Sequence, residues 1–157
     1  MTVEEVAPNV ETDVLLDGAQ FSDAFRIALT GHTLVARQAA ERMMGRSPRW
    51  VERLLALRNA LVAPLGLKTS GAGEPRTKGI IGIFPVLSET PDRLVAGFDD
   101  SHLDFRVVVD VSACDDGQQV TATTLVRTNN WLGRIYLAVI LPFHRLVVRA
   151  LLRQVAR

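Results

Sequence analysis

With a single cysteine, Cys114, the chain cannot hold an intramolecular disulfide framework, which fits a reducing compartment. Charge of one sign is also missing. Eighteen basic and 17 acidic residues leave a net charge of +1, so the balance argues against a nucleic-acid partner. The first residues, MTVEEVAPNVETD, have neither the basic start nor the apolar stretch of an export signal, and the expected location is cytoplasmic. The longest apolar run near the end, Ile135 to Phe143, falls well short of the roughly 20 residues a bilayer demands, so no integral membrane segment is expected.

Catalytic signatures are equally scarce. Gly66, Gly71 and Gly73 follow a helical pattern instead of opening one, and no Gly-Lys-Ser/Thr ending follows, which excludes a phosphate loop. No serine sits in a G-x-S-x-G elbow, and Cys114 stands beside Asp115 and Asp116, not beside a base. His32 and His144 are isolated in sequence. The chain therefore offers no catalytic residue, no metal site and no cofactor motif, and non-enzymatic binding is the favoured class.

What is present is a core. At 157 residues and 48% hydrophobic, the sequence is long and apolar enough for one self-sufficient domain, residues 1–157, with residues 1–13 as a loosely held arm. Phe21, Phe25, Ile27 and Leu29 alternate with polar or small residues and predict a first strand over Ala19 to Leu29. Leu34, Ala36, Ala39, Ala40, Met43 and Met44 predict a helix from Thr33 to Met44, ended by Gly45. A second helix starts at Ser47 or Pro48 and carries Trp50, Leu54, Leu57, Leu61 and Leu65 up to Gly66. Beyond a loop at Thr69 to Pro75 the chain turns β-rich, with strands over Gly79 to Val86, Arg93 to Phe98, Leu103 to Val111 and Gln119 to Thr128. Thr90-Pro91-Asp92 and Asp115-Asp116-Gly117 are turns, so these strands pair antiparallel.

Asn129 or Asn130 then caps a long helix from Trp131 to Ala156 that contains no acidic residue. Arg145, Arg149, Arg153 and Arg157 recur every four residues and so line one edge, while Pro142 should bend it. Strand, two helices, a run of strands and a closing helix make the fold class α+β.

Three blocks carry a resemblance: PRWVERLLALRNALVAPLGLK (48–68), FDDSHLDFRVVV (98–109) and TTLVRTNNWLGRIYLAVILPFHR (123–145). Together they resemble an uncharacterised bacterial DUF-type family of the START and birch-pollen-allergen-like superfamily (SRPBCC), which includes polyketide cyclases. That resemblance implies a helix-grip fold: a curved antiparallel sheet wrapped around the long C-terminal helix, with two short helices between the first and second strands. It also implies a small apolar or amphipathic ligand held between sheet and helix, and it brings no assigned catalytic residues.

Site candidates follow from chemistry and from that expectation. Trp50, Trp131 and Tyr136 offer broad apolar faces with one polar handle each, and with Phe105 and Ile135 they would line such a cavity, or else form plain core. Arg58, on the flank of an apolar helical stripe, requires either a polar ligand or a structural partner. Asp100, His102 and Asp104 fall on one face of a strand and could share a proton or a metal, but without a second histidine the ordinary reading is a solvated polar face. The alternative function is an interaction protein that uses the basic face of the last helix against an acidic partner or an anionic membrane surface.

Overall fold

A computed structural model describes residues 2–31, 33–44, 49–50, 53, 56–57, 80–81, 84–99, 103–115 and 117–156. Strand β1 (Val3–Val6) leads to a short helix α1 (Thr12–Leu15), then β2 (Phe21–Thr30) and α2 (Ala36–Met44). Next come β3 (Ile80–Ile81), β4 (Phe84–Glu89), β5 (Arg93–Asp99), β6 (Leu103–Cys114), β7 (Gly117–Thr128) and α3 (Trp131–Val155). The strands lie in the order β1-β2-β7-β6-β5-β4-β3, every pairing antiparallel. The architecture is α+β, a six-stranded antiparallel sheet extended by the two-residue β3, open rather than closed, with α3 packed against it.

The second helix expected from residue 47 or 48 is described only at Arg49, Trp50, Arg53, Ala56 and Leu57, all helical; the rest of it, Arg58 included, lies outside the described residues. One sequence reading needs correction. Val3–Val6, taken above as part of a loose arm, pair with β2 from Val3↔Ile27 to Val6↔Ala24 and form an edge strand. Alternation over four residues that include Glu4 and Glu5 is too short and too charged to register as a strand.

Register explains which helix lies where. The core-side row Glu5–Phe25–Ala122–Val109–Leu94–Glu89 crosses the sheet from β1 to β4, with a glutamate at each end. Arg145 of α3 reaches Glu5 at 3.4 Å, and Arg37 of α2 reaches Glu89 at 2.7 Å. Hydrogen bonding to Glu89 is the main cause that holds the Arg37 guanidinium above its ordinary value. The helices thus sit side by side on one face. Helix α2 buries Ala36, Ala39, Ala40, Met43 and Met44 at helical spacing, and its alanines permit close approach to β6 and β5.

The opposite face is also covered. The row Val6–Ala24–Thr123–Val108–Val95 is buried there, apart from half-buried Val6. Between β1 and β2 the chain crosses this face. Glu11 contributes charge at Arg93 on β5, Leu16 is buried, and Arg127 of β7 donates to the Asp17 carbonyl at 2.9 Å. Gln20 closes the crossing by accepting from the Thr128 backbone at 2.9 Å. Both sheet faces are therefore packed, and α3 supplies only part of the cover.

Two glycines mark close approaches. At Gly97 (φ +154°) and Gly117 (φ +158°), a Cβ would collide with the carbonyl oxygens of Phe105 and Leu29 respectively.

Candidate functional site

The last helix begins as its sequence dictates. Asn130 is extended and its side chain accepts from Gly133 N at 3.0 Å, which satisfies one orphan donor of the first turn. From there the helix divides into two faces. Val148, Leu152 and Val155 are buried in the same cluster as Phe25, Ile27, Val109 and Val120, so the C-terminal half is anchored in the core. Each fully buried side chain of that size stabilises by about 1.5–3 kcal/mol.

The described residues leave the other face uncovered. Trp131 is 70% exposed and Ile135 52%, and Val139, Phe143 and Leu146 continue the stripe at spacings of four, four and three. These five residues share one side of a 3.6-residue helix, which makes a single elongated apolar surface. Trp131 and Ile135, expected to line a cavity against the sheet, instead lie on this outward face. Tyr136 and Phe105 are half-buried, Phe105 against the core. Trp50 is 43% exposed. Arg58, the sixth residue of the group, lies outside the described residues. Sequence alone shows only that α3 is apolar on most of its circumference, and the choice of which stripe meets the sheet is tertiary.

By length and composition α3 is apolar enough to cross a membrane. The sequence reading rested on the uninterrupted run, which Arg134 and His144 cut short, whereas an 18-residue stretch within the helix that tolerates such interruptions is apolar enough. Burial of Leu152 and Val155 ties the C-terminal end of the helix to the sheet, while most of its length is exposed.

Beneath the helix lies one polar junction. Asp23, on the core side of β2 and only 6% exposed, pairs across the sheet with Thr124, also buried. His144 of α3 brings Nε2 within 3.2 Å of each Asp23 oxygen. The hydrogen bond is aligned on Oδ1, so Oδ2, although equally near, is left without an aligned donor. The Phe21 ring meets His144 edge to face with centroids 6.0 Å apart. Sequence reading treated His144 as isolated because its partner lies 121 residues away.

Of the acidic cluster only Asp104 is among the described residues. Asp104 is buried on the face opposite α3, where Arg127 donates to it and Asn129 Nδ2 lies at 3.3 Å. Asp100 and His102 lie outside the described residues, and among the described residues no group of His, Cys, Asp and Glu could hold a metal ion. Farther along that face Arg93 and Asp110 form a two-pronged pair at 2.6 and 3.2 Å. Bonding to Asp110 is the main cause that raises the Arg93 guanidinium above its ordinary value. These cross-strand pairs are structural.

An open antiparallel sheet carrying a long, half-naked terminal helix defines an α+β fold. The chain belongs to the family described as protein of unknown function (DUF2867), whose model matches residues 15–151. No curated protein is a significant match. A crystal structure of a protein from Rhodobacter sphaeroides is similar at 14% identity and a TM-score of 0.45, over 99% of this chain and 95% of that one. A conserved protein from Geobacillus kaustophilus is similar at 12% identity and a TM-score of 0.44, over 87% and 93%.

Proposed function

We propose that the protein is a non-enzymatic interaction module that docks onto an apolar surface through the exposed face of α3, acting inside the cell. The exposed stripe of Trp131, Ile135, Val139, Phe143 and Leu146 carries this reading. Five large apolar residues aligned on one helix face are costly to leave in water, and such patches mark interaction sites. Trp131 reports on it. In a Trp50→Phe background, Trp131 emission should shift to the blue when uncharged dodecyl maltoside micelles are added. Unchanged emission, with Phe143→Ser behaving like the parent, would overturn the reading.

A second reading keeps the ligand expected from sequence: a small amphipathic molecule between sheet and helix, within a START-like branch of the superfamily. The buried Asp23 Oδ2 that lacks an aligned donor supports it, because a ligand hydroxyl or ammonium would supply the missing hydrogen. Its test is a saturable rise in melting temperature with an amphipathic amine or alcohol that Asp23→Asn weakens.

A further inference from the structure

We infer that the surface docked by α3 is an anionic lipid bilayer, met with the helix axis in the plane of the membrane; this rests on the proposed function and names its partner. Successive helical residues advance by about 100°. Taking Val139 as the centre of the exposed stripe, Arg153 and Arg145 lie about 40° and 120° round on one flank, Arg134 lies about 140° away at the angle of buried Leu152, and Val148 and Val155 lie on the buried side. An apolar stripe with cations along its border is the arrangement that buries side chains in the acyl boundary and leaves guanidinium groups at phosphate level. The exposed Trp131 at the start of the helix fits the headgroup region, where indole is favoured.

Charge fixes the sign of the partner. Between Trp131 and Val155 there is no acidic residue, and among the described residues Arg134 and Arg153 meet no carboxylate. Arg149 holds its guanidinium carbon 5.2 Å from the centroid of the buried Phe25 ring, so its charge has an aromatic partner in the core and takes no part in the lipid-facing border. Arg145 alone is met, by Glu5 of β1 at 3.4 Å, where both side chains are well exposed. A pair of that kind is worth little in water, so lipid phosphate can displace the glutamate. A protein partner would need a matching apolar groove with an acidic rim, whereas a bilayer supplies both features without shape complementarity.

Vesicle co-sedimentation tests this with the full chain. Vesicles of phosphatidylcholine mixed with phosphatidylglycerol should bind the protein, and binding should weaken as salt is raised. Each of Arg145→Gln and Arg153→Gln should lower the partition coefficient about fivefold, the equivalent of roughly 1 kcal/mol per arginine. Glu5→Gln, which frees Arg145, should raise it. Equal binding to pure phosphatidylcholine would overturn the anionic inference and leave the apolar docking reading standing. No vesicle binding combined with a concentration-dependent dimer in sedimentation would make a second copy the occupant. Failure with vesicles and with uncharged micelles alike would remove both.

Discussion

His144 and Asp23 join the last helix to the second strand across 121 residues of sequence, with Nε2 at 3.2 Å from Oδ1 in a largely apolar layer that also holds Thr124. A hydrogen bond of this kind positions α3 along its axis as well as against the sheet. Apolar contacts alone tolerate sliding by a turn; a buried polar pair does not.

Coupling between these two residues is therefore expected. His144→Leu should destabilise the protein by about 1–3 kcal/mol, because the Asp23 carboxylate loses its donor while it remains buried. Asp23→Leu added to His144→Leu should cost less than the two single changes together. Urea denaturation of the four proteins measures the difference, and additivity within about 0.5 kcal/mol would show that the pair does not hold the helix.

The two faces of α3 should respond oppositely to substitution. Leu152, fully buried, should cost about 2–5 kcal/mol on change to alanine. Val139→Ser together with Phe143→Ser, both exposed, should stay within roughly 0.5 kcal/mol per site. Equal losses at the two sites would mean that the stripe read as naked is packed in solution.

Removal of residues 2–18 should do more than trim a tail. Edge strand β1, buried Leu16 and the Arg127-to-Asp17 bond would all go, which leaves Ala24, Thr123, Val108 and Val95 open to water. The expected outcome is a broad, early thermal transition and strong binding of a hydrophobic dye. A truncated protein that melts as sharply as the full chain would show that the outer face needs no cover.

Glycine substitutions separate crowding from backbone strain. Gly117→Ala should lose more than about 1 kcal/mol, because the added methyl meets the Leu29 carbonyl in the paired strand. Gly31→Ala, where a Cβ meets nothing within 4 Å and only the φ of +72° is unfavourable, should lose roughly 1 kcal/mol or less. Comparable losses from the two changes, measured by denaturant midpoints, would contradict the close approach at β7.

Sequence by itself determined the elements whose signal is local. Alternation along Leu103 to Val111 and Gln119 to Thr128 marked two strands, and Thr90-Pro91-Asp92 marked their neighbouring hairpin. Asn130 marked the start of the long helix, because capping depends on residues only three apart. The α+β class followed from the order of these pieces. What only the tertiary structure decided was orientation and partnership. Helix α3 is apolar around most of its circumference, so periodicity could not say that Val148 and Leu152 face the sheet while Trp131 and Ile135 face away. Val3–Val6 became a strand because β2 offered an open edge, and Glu5 found Arg145 through that pairing. His144 found Asp23 only when the sheet brought β2 beneath the helix, since a contact spanning 121 residues has no local signature.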